Sequence, residues 1–289
     1  MQIGLIGCGN MGGGMVRQLL AASQNPICFD PNDDTLGQIR EAGARTAQSA
    51  AELAEATKII ILSLPKASVV EAVMSEIAAL IQPGTVILDT STSEPATSQR
   101  MATLGDRHGF SFVDGPVSGG PAAANAGTMT MLLGGTPAAI EILRPVLDII
   151  TAKTVIVGGS GAGHAAKIAN NMLCAANLVL VAEAIRLCEA SGVSAGDLLE
   201  GINAGSGRSG VSEVNFPKWI LNDAFDSGFT MGLMRKDVGL ALDLAKSSGV
   251  DLSGFANIAD IWINRSDDVP DSGDFNEIVK YHEKGHDDG

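Results

Sequence analysis

Aromatic residues are scarce in this chain of 289 residues: they make up 4%, with one tyrosine, two tryptophans and eight phenylalanines. Bases are also few, 19 against 33 acids, which leaves a formal net charge of −14. Binding nucleic acid by neutralising phosphates needs the opposite balance, so no nucleic-acid partner is expected. The deficit is uneven, because Asp267–Gly289 holds eight acids and two bases and carries −6 of the total. The four cysteines, Cys8, Cys28, Cys174 and Cys188, show no C-x-x-C spacing. No disulfide framework is suggested, which fits buried free thiols in a reducing cytoplasm. Of four histidines, His108 and His164 stand alone, while His282 and His286 have ligand-like i, i+4 spacing in an acidic tail that reads as solvated. No metal site is expected. Long apolar runs are missing as well. Met172–Ile185 spans 14 residues and contains Asn177 and Glu183, too short and too polar for a bilayer core of ~30 Å, so no membrane is expected. The opening Met1–Gly7 lacks a basic segment and reads as a strand, not a leader.

Glycine is plentiful, 35 residues with no collagen period, which suggests tight turns and close backbone approaches. Up to about Val157 short apolar runs alternate with amphipathic stretches. Strands are expected at Gln2–Ile6, Ile27–Asp30, Lys58–Leu64, Thr85–Asp89, Ser111–Asp114, Thr128–Leu133 and Thr154–Val157. Helices are expected at Asn10–Ala22, Asp33–Ala42, Ala67–Leu80 and Glu94–Leu104. This alternation predicts an α/β fold with a largely parallel sheet covered on both faces. The uninterrupted apolar run Lys58–Leu64 suits a strand buried on both sides. After Gly163 the strand signal stops. A long helix is expected over about Ala165–Ser191, ended by Gly192, followed by helices at Ala195–Ile202, Glu213–Leu221, Met231–Ser247 and Phe255–Asn264. The chain therefore divides into a nucleotide-binding domain, residues 1–161, and an all-helical domain, residues 162–289, joined by the long helix at the glycine-rich segment Gly158–Gly163.

Gly7, Cys8, Gly9, Asn10, Met11 and Gly12 spell G-x-G-x-x-G between a strand and a helix. In that setting the first glycine permits the turn, the second admits a pyrophosphate, and the third lets helix and strand pack closely. The helix N-terminus offers free N–H groups and partial positive charge to the phosphates. Asp30 ends the second strand, where a carboxylate would accept from the adenosine ribose hydroxyls and repel a 2′-phosphate. Its neighbours Pro31 and Asn32 bring no cation, so NAD is expected rather than NADP. Two further strand ends would face the cofactor: Leu64 and Pro65, continuing to Val69, and Asp89–Thr92 with its hydroxyls. Either reads equally well as an ordinary strand end or helix cap.

Ser118, Gly119 and Gly120 follow another strand and could offer a hydroxyl and two N–H groups to an anion, or form a plain turn and cap. Lys167 and Asn171 are four apart and share one face of an otherwise apolar helix. A lysine near a helix start is unfavourable on dipole grounds. Partial burial would lower its pKa and suit it to proton transfer, although a snorkelling surface lysine has the same pattern.

Four blocks in this order resemble the β-hydroxyacid dehydrogenase family: Gly4–Gly12, with Cys8 where an apolar residue is usual, Asp114–Gly120, Gly161–Asn171, and Met234–Leu240. The resemblance covers nearly the whole chain. It implies a Rossmann-like domain joined through a long helix to a helical domain, in a homodimer or homotetramer. It implies Lys167 as general acid/base, Asn171 orienting the substrate, and Ser118, Gly119 and Gly120 holding a small carboxylate substrate. Thr92 and Lys236 would contact the cofactor, with Lys236 also closing the cleft. The implied activity is NAD-dependent oxidation of a 3-hydroxyacid, 3-hydroxyisobutyrate-like acids leading, or the reverse reduction, in the cytoplasm. Tartronate semialdehyde, serine and sugar acids are the alternatives, and a non-catalytic NAD(H)-binding protein is the alternative of another class. Arg208, in the polar loop Asn203–Glu213, could meet a second carboxylate or cap a helix. Trp219, Phe229 and Met231 could wall a pocket or belong to the core. Ser253 and Gly254 stand where the family often has Pro-Leu, a departure that identifies no substrate.

Overall fold

The apolar runs of the first half pair side by side in one sheet. In the computed structural model, which describes residues 2–281, the chain forms two units, Met1–Lys167 and Ile168–Gly289. In chain order the first contains β1 (Ile3–Ile6), α1 (Asn10–Ala21), β2 (Ile27–Phe29), α2 (Asp33–Glu41), β3 (Arg45–Thr46), α3 (Ala50–Ala56), β4 (Ile59–Leu62), α4 (Ala67–Ile77), β5 (Val86–Asp89) and α5 (Pro95–His108). It continues with β6 (Ser111–Asp114), β7 (Val117–Ser118), α6 (Gly120–Ala126), β8 (Met129–Gly134), α7 (Pro137–Ile150) and β9 (Thr151–Gly158). The sheet runs β3-β2-β1-β4-β5-β6-β8-β7, with β9 paired to β8. The first six of these are parallel, and β8 is antiparallel to β6 and β7. The order 3-2-1-4-5-6 is that of a dinucleotide-binding sheet, with ligand loops at the carboxyl ends.

Both faces are covered. Leu5, Ile59, Ile61 and Leu88 join one core with Met15, Leu19 and Leu143, while Ile6, Ile60, Leu62 and Ile87 join the other with Met74 and Phe112. The period of two along each strand sorts alternate side chains to opposite faces. The run Ile59–Leu62 is buried throughout. The sequence reading leaves β3, α3, β7, α6 and α7 without elements. β3 and β7 are too short to show a period, α3 and α6 are short and alanine-rich, and α7 carries Pro145 inside it.

The long helix α8 (Ala162–Glu189) starts in the sheet unit, which ends at Lys167, and continues into the helical unit. There follow α9 (Ala195–Ala204), a π-helical segment Val211–Ile220, α10 (Met231–Ser248), α11 (Ser253–Asn264) and a 3-10 turn Phe275–Lys280. An α-helix was the expectation over Glu213–Leu221; the π-helix forms where Pro217 removes an N–H donor from the ladder. By length and composition α8 could cross a membrane. Instead Leu178, Val179, Ala182 and Ile185 pack into the core of the helical unit with Phe216, Val238 and Trp262. It is the core helix of a folded domain. Trp262 is fully buried, and its Nε1 donates to Ala175 O at 3.2 Å. Met231 lies in this core and Phe229 packs edge-on against Phe275. The described part of the acidic tail, up to Tyr281, is folded. Asp274 and Glu277 form a capping box, and Phe275 and Ile278 are buried. Arg235 holds the preceding loop by donating to the carbonyls of Trp262, Ser266 and Val269 and pairing with Asp271. His282, His286 and the segment after Lys284 lie outside the described residues.

Candidate active site

Three glycines of the first loop act differently, and the backbone shows why. Gly7 has φ +93°, and a Cβ there would stand 2.3 Å from Ser63 O. A Cβ on Gly12 would stand 1.9 Å from Gly7 O, so this glycine lets α1 lie against β1. A Cβ on Gly9 would meet nothing within 4 Å. Gly9 is the N-cap of α1 and no side chain caps the helix, so the N–H groups around Asn10 and Met11 open on free space. That cradle fits a pyrophosphate by charge and shape.

Asp30 accepts from Cys8 N at 2.7 Å through Oδ2 and from Asn32 N at 2.9 Å through Oδ1. It thereby holds the glycine turn, and each oxygen keeps lone pairs for ribose hydroxyls. Beside it lies a pocket of about 270 Å³ lined by Pro31, Asp33, Leu36 and Arg40 among others. The sequence neighbours of Asp30 lack a cation, but the fold brings Arg40 of α2 to this pocket. Its Nη2 donates to Thr46 Oγ1 at 3.2 Å. The Cys8 thiol is pushed up by its contact with Cys28 and by burial, so it stays a thiol. None of the four cysteines forms a disulfide, and Cys174 and Cys188 are only half-buried.

The other strand ends converge on the same edge. Leu64 N donates to Ser91 Oγ at 3.0 Å, which ties the loop after β4, with Pro65 exposed and Val69 in the first turn of α4, to the loop carrying Thr92. The Asp89 carboxyl is pushed up by burial and pulled back by His164. Asp114, also fully buried, accepts from Gly161 N at 2.7 Å and from His164 N at 3.0 Å. It therefore caps the start of α8. His164, alone in the sequence, finds two partners in the fold: Nδ1 is 2.7 Å from Ser98 Oγ and Nε2 is 2.9 Å from Ser91 O. A histidine between small residues at a helix start carries no sequence signal of such a role.

Lys167 is 7% exposed, and its Nζ donates to Ser118 Oγ at 2.9 Å. It is thus a buried lysine, not a snorkelling one, and it faces the Ser118–Gly120 loop. Gly119 and Gly120 both have positive φ, +120° and +66°, which side chains resist. Their N–H groups start α6, with Pro121 just after.

In the helical unit, buried Asn171 donates through Nδ2 to Asp237 Oδ2 at 2.5 Å. Lys236 Nζ lies 3.4 Å from Asp237 Oδ1. Asp237 therefore contacts both candidate residues of this unit, Asn171 and Lys236, and the sequence reading gave it no role. A signal was present: it falls on the buried stripe Met234, Val238 and Ala241, where an unpaired carboxylate is rare. Arg208 lies 3.7 Å from Glu213 and is largely exposed. Trp219 is half-buried under the Lys218 ammonium. Among the described residues, no group of three His, Cys, Asp or Glu could hold a metal.

Comparison with known proteins agrees with this fold. The family described as the NAD binding domain of 6-phosphogluconate dehydrogenase matches residues 2–159. The family described as NAD-binding of NADP-dependent 3-hydroxyisobutyrate dehydrogenase matches residues 161–282. A 2-(hydroxymethyl)glutarate dehydrogenase of Eubacterium barkeri is 37% identical over 255 residues, 87% of this chain and 85% of that protein. An NAD-dependent L-serine dehydrogenase of Pseudomonas aeruginosa is 35% identical over 257 residues, 86% of each chain. The solved structure of a Mycobacterium tuberculosis 3-hydroxyisobutyrate dehydrogenase with L-serine superposes with a TM-score of 0.91 at 32% identity, over 96% of this chain and 98% of that one.

Proposed function

We propose a reaction from one premise: this chain belongs to the β-hydroxyacid dehydrogenase family. It is an NAD-dependent oxidoreductase that acts on a CH–OH group. The proposed reaction is oxidation of a 3-hydroxypropanoate substituted at carbon 2, with 3-hydroxyisobutyrate-like acids leading, to the semialdehyde, or the reverse reduction. The substrates named for the relatives, 3-hydroxyisobutyrate, L-serine and 2-(hydroxymethyl)glutarate, share one core. Each has a primary alcohol, a substituted carbon and a carboxylate. They differ in that substituent: a methyl, an ammonium or a carboxyethyl group.

The observation that carries the proposal is the contact of buried Lys167 with Ser118 at 2.9 Å. It sets a proton-transfer group beside an anion-holding loop. A 3-hydroxyacid has two carbons between carboxyl carbon and hydroxyl oxygen, so one small molecule reaches both. In this reading Ser118 Oγ and the N–H groups of Gly119 and Gly120 hold the carboxylate. In oxidation the Lys167 amine takes the hydroxyl proton, and in reduction its ammonium returns it. NAD, when bound, supplies the acceptor for the hydrogen and two electrons that leave the carbon. Gly7, Gly9, Asn10, Met11 and Gly12 would hold its pyrophosphate, Asp30 its ribose, and Leu64, Pro65, Val69, Thr92 and Lys236 the rest. Asn171, with its amide held by Asp237, orients the substrate. The proposal places the enzyme in the cytoplasm as a homodimer or homotetramer.

The test is NADH absorbance with NAD or NADP and a panel of 3-hydroxyisobutyrate, L-serine, 2-(hydroxymethyl)glutarate and sugar acids, with tartronate semialdehyde as the reduction substrate. Turnover with NAD on one of the 2-substituted acids, lost in Lys167→Ala, is the expected result. A silent panel would remove the substrate class. Undiminished turnover in Lys167→Ala would remove the role of the lysine.

A further inference from the structure

The fully buried imidazole of His164 joins parts of the sheet unit that are distant in sequence. Its Nε2 meets Ser91 O at 2.9 Å in the turn after β5, and its Nδ1 meets Ser98 Oγ at 2.7 Å on α5. Its own backbone N–H donates to Asp114 at the end of β6. Ser91 Oγ in turn accepts from Leu64 N after β4. The two carboxylates at this site are Asp114 and Asp89. Asp89 Oδ2 stands 3.9 Å from Nε2, is buried, and accepts no hydrogen bond. A carbonyl oxygen can only accept, so Nε2 carries the hydrogen and donates to Ser91 O; Nδ1 is then free to accept from the Ser98 hydroxyl.

We propose that His164 is a positioning residue: its imidazole ties the Thr90–Thr92 turn to the first turn of α8, and so fixes where Thr92 and Lys167 stand. Lys167 is three residues on, the next neighbour along the same helix face. A purely space-filling residue here would be apolar, because an imidazole buried without partners is costly. The polar choice makes sense when both nitrogens are used, as they are. The inference depends on the roles given above to Lys167 and Thr92.

The test compares wild type, His164→Leu and His164→Gln. Leucine keeps much of the volume and loses the donor. Glutamine can present an amide N–H to Ser91 O. His164→Leu is expected to lower kcat by about tenfold to a hundredfold, as a small misplacement of a catalytic group does, with a smaller change in KM for the hydroxyacid. His164→Gln is expected to recover most of that loss. A wild-type kcat in His164→Leu overturns the proposal, as does a His164→Gln variant no better than leucine. Nitrogen-15 NMR of histidine-labelled protein at pH 8 reads the same geometry without turnover, even where the leucine variant fails to fold. A fixed Nε2–H tautomer is expected for His164, and an Nδ1–H or exchange-averaged ring overturns the proposal. Should wild type turn over no acid on the panel, the functional reading fails while the NMR result still decides the tether.

Discussion

Gly9 and Gly12 look alike in the motif, yet alanine at each should fail differently. At Gly12 the new Cβ would sit 1.9 Å from the Gly7 carbonyl oxygen and 3.2 Å from Leu5 Cδ2. The oxygen belongs to the backbone of the turn between β1 and α1 and has no rotamer to escape into. To reach ordinary contact α1 must lift from β1 by about 1.5 Å. That motion loosens Met15, Val16 and Leu19, all fully buried against the sheet. Overpacking of this kind costs about 2–3 kcal/mol. In a unit of this size it lowers Tm by about 4–12 °C. At Gly9 the Cβ meets nothing within 4 Å, so Gly9→Ala should melt with wild type. Its methyl group occupies the space the pyrophosphate needs, and NADH affinity should fall by about tenfold, some 1.4 kcal/mol. Thermal melts followed by circular dichroism and NADH fluorescence titration separate the two. A Gly12→Ala protein that melts with wild type would refute the close-packing argument. A Gly9→Ala protein with unchanged NADH affinity would refute the cradle.

Asp237→Ala removes the acceptor of the Asn171 amide and the partner of Lys236; steady-state kinetics should show kcat/KM down by about tenfold or more, and an unchanged value would sink the placement of Asn171. Asp114→Ala strips the acceptor from two buried N–H groups at the start of α8; a loss of about 1–2 kcal/mol is expected in denaturant unfolding, and none would mean water replaces the cap. Tyr281, the single tyrosine of the chain, is pushed up to about 12 by burial and its hydrogen bond to Glu183. Its free phenol value is about 10, so its contribution to stability is whole below that pH and is lost as pH climbs through 12. Absorbance at 295 nm reads this one group, and a midpoint near the free value would show the phenol unpaired.

Much of the architecture was legible because it is written in short-range patterns. Strands β1, β4, β5 and β6 appear as apolar runs that a buried parallel strand requires, and Gly192 stands just past α8 as a helix stop. Elements without a period of their own escaped. β3 and β7 exist because a neighbouring strand edge pairs with them, and β9 begins at Thr151 because β8 extends its ladder. Spacing flagged the glycines of the first loop, Ser118–Gly120, Lys167 and Asn171; strand ends suggested Asp30, Leu64, Pro65 and Val69, and the family resemblance added roles for Thr92 and Lys236.

Sequence by itself determined the fold class and the nucleotide loop, since these depend on residues close together along the chain; the type of chemistry came from the resemblance of four blocks to a known family. Tertiary structure decided what faces each of those residues. It set Lys167 beside Ser118 and brought Arg40 near Asp30. It made Asp237 the support of Asn171 and Lys236, and His164 the link between the ends of β5 and β6. Most of these pairings join residues far apart in the chain, so no local pattern encodes them. They arise when strand ends meet along one edge of a sheet, and when a buried polar atom must find a partner because water cannot reach it.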